Sequence, residues 1–490
     1  MGWINISLTF GLIVLSALML ERDRSELVIS KLTVGTTPTL LYQLPNSIGP
    51  VLVIAHGFAG SIQLMQAYSL TLARAGYRVF AFDFEGHGQN PVPMSGDVNA
   101  LEGTTARLVA QTREVISASR ALTHSSELAL VGHSMATDIL IRAGKEEGSD
   151  GNPVDTIVAL SMYSDAVTAH TPENMLIISG SWERFLRRAA LDAIRLIKPT
   201  AIEGEKVVLE QIMRRAVVAP NVEHVGILFS SNAIDEARLW LDDVFDRTSE
   251  IGKNYSFVWI ITLFAGIVIG LRPLAKLIPK TKSYSVIPLR RRWLGILLPA
   301  IFTPFIVTSL NLNFMPVLVA DYLMVHLALY GVLQITLLGV WPLVFTRPNL
   351  LAVCLILLWG VVFLGFAVDR YTASFFPTFQ RFYIILALSV GTILVMLADA
   401  YVTDAGQGSI WARVFARIAL ISSLGAAAMI DPYDLTFIII ALPVFVLFFL
   451  IHGSMGRWVG RQAGANSAGI GLGICLAWAL GVSFPLFTFG

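Results

Sequence analysis

The chain reads as two folds in series: an α/β domain built on a mostly parallel, doubly wound sheet, then an all-α polytopic transmembrane domain. Three observations predict this. From about residue 50 to residue 245, short apolar runs alternate with stretches of helical periodicity, and the early runs stop at glycine turns. After Lys253 charge becomes sparse and roughly eight apolar segments of about a span's length follow. Charged residues make up 14% of the 490 residues, against about 25% in ordinary soluble domains, and mean hydropathy is +0.68, so much of the length belongs in a bilayer. The expected division is 1–20 as an N-terminal transmembrane anchor, 24–250 as the α/β domain and 255–490 as the membrane domain.

Taken in order, Trp3 to Leu20 is one apolar stretch; it lacks a basic leader and an Ala-x-Ala cleavage site before Glu21, so it reads as an uncleaved anchor. Buried strands are expected at 50–55, 77–82, 127–131, 154–160, 174–178 and 215–219. Helices are expected at 63–75, 105–122 and 136–144, with a last one ending near Phe245. This alternation implies parallel strands covered on both faces. Eight spans are placed near 255–271, 293–312, 315–343, 349–368, 382–401, 411–430, 435–451 and 465–487.

The most informative residue is Ser134, in Gly132-His133-Ser134-Met135-Ala136 between the apolar run 127–131 and the helical stretch 136–144. A buried strand, a sharp small-residue turn and a helix lift a hydroxyl above a sheet edge, with the helix's first amides aimed at any oxyanion formed there. Alanine at 136 is small enough for close helix–strand packing. Upstream, one strand ends in His56-Gly57-Phe58-Ala59-Gly60 and another in Asp83-Phe84-Glu85-Gly86-His87-Gly88.

These three motifs, in this order, resemble those of the α/β-hydrolase superfamily, and the resemblance covers roughly residues 27 to 247. It implies a triad running nucleophile, acid, histidine along the chain. Glu183, following strand 174–178, is then the acid, with Asp165 after the preceding strand as the alternative, and His224 in the loop 220–226 is the general base. The same resemblance puts the oxyanion amides at Phe58 and Met135. A serine hydroxyl needs such a base to attack, and the imidazolium needs such an acid. His56, His87 and His133 are expected to brace loops, His170 precedes the acid and so falls in the wrong order, and His124 lies in a helix-to-strand connection. The order of anchor, hydrolase and multi-span tail is also loosely similar to that of the GPI-inositol deacylases, although sequence similarity stops at the motifs shared by the whole superfamily.

No His/Cys/Asp/Glu group has metal-ligand spacing and no Walker-type loop is present, so neither metal nor cofactor is expected. Cys354 and Cys475 both fall in predicted spans, and no disulfide is expected. A net charge of +1 argues against a nucleic-acid partner. Arg272, Lys276, Lys280, Lys282 and Arg290 to Arg292 form the strongest basic cluster, which the positive-inside rule assigns to the cytoplasm and which puts the hydrolase outside. Arg347, Arg413, Arg457 and Arg461 fall on the same side as that cluster, and Arg370 and Arg381 are outer exceptions. Asp321 and His326 on the third span, and Asp399 on the fifth, specify no proton path; Gly266-x-x-x-Gly270 and Gly469-x-x-x-Gly473 read as close-packing sites.

Only about a dozen residues join Leu160 to Asn174, too few for a helical lid, so a wall of the acyl pocket is expected from the bilayer or from outer loops such as Tyr371 to Gln380. The expected activity is that of a membrane-integrated serine esterase, lipase or thioesterase acting on a lipid or lipid-linked acyl ester. Acyl transfer by the same triad is the chemical alternative, and a transporter or scaffold with a hydrolase-like binding domain is the competing class.

Overall fold

The computed structural model describes residues 2–97, 100–281, 287–310, 312, 314–340 and 349–488. Lys282, Arg347 and the end of the expected third span, 341–343, lie outside the described residues. The chain separates into two compact units: a sheet-bearing body of Leu15–Ile261, Arg370–Ser374 and Phe487–Gly490, and a helical unit of Met1–Val14, Thr262–Asp369 and Phe375–Leu486.

The sheet-bearing body holds a nine-stranded sheet of strands β1 Val28–Val34, β2 Thr37–Gln43, β3 Val51–Ala55, β4 Arg78–Phe82, β5 Leu128–His133, β6 Thr156–Leu160, β7 Asn174–Gly180, β8 Lys206–Leu209 and β9 Ile212–Ala219. Their order is β1-β2-β4-β3-β5-β6-β7-β9-β8. The central strands β4-β3-β5-β6-β7-β9 run parallel, and β3, β4, β5 and β6 are buried along their whole length, as continuous apolar runs require. Helices α2 Gln66–Arg74, α3 Ala106–Thr123, α4 Ala136–Ser149, α5 Arg184–Arg195 and α6 Ser231–Val244 connect or follow them.

All six expected strands are present, but the antiparallel edges β1, β2 and β8 are additions. They are hairpin strands with half-exposed faces, closed by turns at Gly35 (φ 58°) and Glu210 (φ 53°), and they lack the continuous apolar run that marks a buried parallel strand. The two edges are therefore weak in sequence and strong in pairing.

Helix α1, Gly2–Ser25, begins in the helical unit and ends in the sheet-bearing body. The helical unit continues through α7 Ser256–Ala275, α8 Leu289–Thr308, α9 Ala320–Leu338, α10 Leu350–Tyr371, α11 Phe379–Val402, α12 Ile410–Ile430 and α13 Ile438–Ser483. These seven helices among the described residues are long and apolar enough to cross a membrane. Helix α13 has 46 residues, about 69 Å of helix and roughly twice a hydrocarbon core, and it breaks at Gly464 (φ 82°, ψ 175°). A Cβ on Gly456 would meet Leu472 at 2.3 Å and one on Gly460 would meet Ala468 at 3.2 Å, so the two halves fold back on each other. The expected loop between the last two spans is thus helix up to one glycine, whose positive φ makes the reversal.

Close packing is concentrated at glycines. Cβ atoms on Gly469 and Gly473 would lie 2.6 and 2.5 Å from the Cα atoms of Leu397 and Ile393 on α11, and one on Gly266 would lie 2.7 Å from Ile13 of α1. Three of the ionisable residues inside this unit have polar neighbours: His326 Nδ1 meets Tyr322 Oη at 2.8 Å and its Nε2 meets Ser423 Oγ at 3.1 Å, Asp321 accepts from the Phe314 amide at 2.9 Å, and Asp399 faces Arg417 at 3.8 Å.

Candidate active site

Strand β5 ends at His133 and helix α4 begins at Ala136, which leaves Ser134 to turn the chain with φ 53°. That left-handed conformation costs a non-glycine residue about 1–3 kcal/mol and persists only where its surroundings enforce it. Here the Ser134 amide donates to Leu160 O at the end of β6 (2.9 Å), and the Ser134 carbonyl accepts from the Thr137 amide (2.9 Å) and hydroxyl (2.6 Å). Gly132 permits the turn: a Cβ there would fall 2.6 Å from Leu140 Cδ1 and 3.2 Å from Ala136 Cβ. The alanine at 136 is fully buried against this contact, so only a small residue fits.

His224 enters from the loop after β9, and its Nε2 lies 2.9 Å from Ser134 Oγ. Its Nδ1 donates to Glu183 Oε1 at 2.6 Å. The second oxygen of Glu183 accepts from the Gly180 amide (2.6 Å) and from Ser161 Oγ (2.8 Å). Burial pushes the Glu183 carboxyl up, but the hydrogen bonds from His224, Gly180 and Ser161 outweigh it and hold the group below its usual range. The carboxylate is 6% exposed and the imidazole 41%, so Glu183 is shielded while His224 faces outward. The loops carrying them are stitched together by Trp182 N to Val222 O (3.2 Å), Ser181 N to Ala219 O (2.9 Å) and Asn221 N to Ser181 Oγ (2.9 Å). Asp165 is elsewhere: its side chain is 85% exposed and pairs with Arg142 at 2.6 Å.

The flanking histidines are bracing groups. His133 Nε2–H donates to the His224 carbonyl at 2.8 Å, and burial, then the neighbouring His224, push its pKa down to about 3, so it stays neutral. His56 Nδ1–H donates to Gly57 O at 2.8 Å while Nε2 accepts from the Phe84 amide at 3.1 Å, and burial lowers it to about 4. His87 donates from Nδ1 to Glu85 O at 2.8 Å. Asp83, 2% exposed, joins these turns by accepting from the amides of Ile62 (2.8 Å) and Gln89 (2.9 Å).

The two residues whose amides the sequence assigns to the oxyanion both lie next to the elbow contacts. Met135 is the N-cap of α4, so its N–H is among the first amides of a helix, which have no intrahelical partner. Phe58 follows Gly57, whose Cβ would sit 2.8 Å from His133 Nδ1 and 3.1 Å from Ser134 Cβ. Only glycine lets that loop come so close to the serine. Ser161, with φ 51° at the end of β6, and the Gly180 amide were missed as partners of the acid. The one available signal is Ser161's place directly after a predicted strand.

Residues 47–192 match the family model described as serine aminopeptidase, S33, a stretch that contains Ser134 and Glu183 and stops short of His224. A search of curated proteins found no match. Solved structures similar to the chain include a hydrolase described as CIB-like from Thermoplasma acidophilum, 14% identical, covering 45% of this chain and 98% of its own, with a TM-score of 0.34. The dienelactone hydrolase of Anabaena variabilis is 16% identical over 44% of this chain and 98% of its own, with a TM-score of 0.33. A soluble variant of monoglyceride lipase from Saccharomyces cerevisiae is 12% identical over 45% and 96%, with a TM-score of 0.34. With its parallel sheet, its elbow serine and this family match, the sheet-bearing unit is an α/β-hydrolase domain, carried on a chain in which seven helices among the described residues are of membrane-spanning length.

Proposed function

We propose that the protein is a membrane-integrated serine hydrolase that cleaves an acyl ester of a lipid or lipid-linked substrate. The observation that carries the reading is the unbroken relay from Glu183 Oε1 through His224 to Ser134 Oγ, at 2.6 and 2.9 Å. His224 takes the serine proton as Oγ attacks the ester carbonyl, and Glu183 holds the tautomer that leaves Nε2 free to accept it. The amides of Phe58 and Met135 stabilise the oxyanion, a contribution of about 10²- to 10³-fold per donor. Loss of the alcohol, which His224 protonates, leaves an acyl-enzyme that water then cleaves by the same route in reverse.

A lipid substrate is favoured by the apolar surface beside the triad. Trp182 (66% exposed) precedes Glu183, Phe185 (72%) follows it by two residues, and Val225 (46%) follows His224. Exposed aromatics are suited to an apolar surface or chain. The description of the matching family favours a second reading, hydrolysis of an N-terminal peptide bond. A panel of long-chain esters, thioesters and aminoacyl amides offered to the purified full chain separates them: ester turnover with no amide turnover is expected, and the opposite ranking would replace the ester reading by the peptidase one.

The same proposal puts the hydrolase on the non-cytoplasmic side. Among the described residues four helices, α7 to α10, fall between Ser256 and Tyr371, and α11, α12 and the two halves of α13 fall between Phe379 and Ser483. Each even set of crossings returns the chain to the hydrolase side, opposite Arg272, Lys276, Lys280 and Arg290 to Arg292. In a chain with Cys354 and Cys475 replaced by alanine, Ser149→Cys is expected to react with an impermeant thiol reagent on intact cells and Lys280→Cys to be protected. Labelling of Lys280→Cys with protection of Ser149→Cys would turn the topology over.

A further inference from the structure

The hydrolase body contains two short segments that the chain delivers only after membrane-length helices: Arg370–Ser374, between α10 and α11, and Phe487–Gly490, after α13. Both touch one loop, His56 to Ser61. At the near end, the Phe58 ring packs with His87, at 5.6 Å and 83°, and with Phe487, at 6.5 Å and 34°. Phe487 is 5% exposed and forms a parallel bridge with the fully buried Met94, and the Thr488 amide donates to Met94 O at 2.7 Å. At the far end, the Ser374 amide donates to Ser61 Oγ at 3.1 Å, while Gln89 Nε2 donates to Ser374 Oγ at 2.9 Å. Arg370 is itself held by Glu21 through 2.8 and 2.6 Å contacts, and its carbonyl accepts from Gln66 Nε2 at 2.9 Å.

We propose that Phe487, with Ser374, positions the oxyanion loop, so that the hydrolase reaches full transition-state stabilisation only when these late segments are seated on it. This rests on the serine-hydrolase reading above and on Phe58 supplying an oxyanion amide. The physical reason is geometric. An oxyanion donor works only within about 2.7–3.1 Å of the developing charge, so its value depends on how firmly its loop is held. His87 packs with the Phe58 ring from a short turn nearby in the chain, whereas Phe487 reaches the same ring from more than 400 residues along the chain. An α/β-hydrolase domain cut from this chain at its sequence boundaries would carry the triad and lack both clamps.

The test is made on the full chain in membranes, with Phe487→Ala, Phe487→Leu, Ser374→Ala and Ser134→Ala compared by steady-state kinetics on one ester and by the rate of fluorophosphonate labelling. Phe487→Ala is expected to lower kcat at least about tenfold with KM within twofold, and to slow labelling in proportion. Phe487→Leu is expected to recover most of the loss, and Ser374→Ala, which keeps the amide bond to Ser61 and removes only the hydroxyl that accepts from Gln89, to give a smaller fall of the same kind. Protease resistance of the hydrolase domain is expected to be unchanged in all of them. Unchanged kcat in Phe487→Ala, or a rise in KM alone, would overturn the positioning role. So would a loss of protease resistance in Phe487→Ala with normal kcat and labelling in both Phe487→Leu and Ser374→Ala. Labelling that survives in Ser134→Ala would instead overturn the underlying serine-hydrolase reading, whatever the Phe487 variants do.

Discussion

Ser134→Ala is expected to abolish fluorophosphonate labelling of the full chain and to lower ester turnover by about 10⁶-fold, with membrane insertion unchanged. The size follows from cooperation. His224 Nε2 lies 2.9 Å from Ser134 Oγ and has no other acidic hydrogen to take, so removing the hydroxyl idles the whole relay from Glu183 outward. What remains is substrate binding and the oxyanion amides, which still give a residual acceleration over water of about 10³- to 10⁴-fold. The alanine itself tolerates φ 53° no worse than serine, so the variant folds with the same elbow strain and loses chemistry rather than structure. Labelling at wild-type rate would place the nucleophile elsewhere.

Glu183→Gln is expected to cost about 10⁴-fold in kcat, against a small effect for Asp165→Asn. The carboxylate accepts on both sides: from His224 on one oxygen, and from Gly180 and Ser161 on the other. A glutamine has one accepting end and one donating end. If its oxygen stays with the Gly180 amide, its NH₂ faces His224 Nδ1, and the imidazole must then carry its proton on Nε2, where it cannot accept from Ser134. Asp165 is bonded to Arg142 at 2.6 Å and does not touch the relay, so its amide variant leaves the tautomer alone. The reverse ranking of the two variants, read from kcat on one substrate, would exchange their roles. Stability offers a second reading of the same variant. Because the folded Glu183 is held below its usual range, the stability it contributes is present above the ordinary glutamate range and is lost as pH falls through the lowered value. The gap in unfolding free energy between wild type and Glu183→Gln is therefore expected to narrow with acid.

The central strands were legible because they are buried on both faces and so have to be written as unbroken apolar runs, as in Val51–Ala55 and Leu128–His133. The glycines of the elbow and of the His56-Gly57 turn were legible for a related reason, since an added Cβ at Gly132 or Gly57 has nowhere to go. Membrane length was legible from hydropathy alone, and so was a reversal between spans 435–451 and 465–487; that the joining residues stay helical up to Gly464 was not, because an apolar average does not separate helix from loop.

By itself, then, the sequence determined the order of elements, the elbow serine and the candidate acid and base, because each depends on neighbours within a few residues. Tertiary structure decided the choices that depend on distance. It brought Glu183 to His224 and left Asp165 beside Arg142, it recruited Ser161 and the Gly180 amide to the far side of the carboxylate, and it laid Ser374 and Phe487 against the loop of Phe58. The reason is the same in each case: a hydrogen bond or ring contact between residues tens to hundreds of positions apart leaves no local periodicity, and exists only once the sheet and its loops have closed.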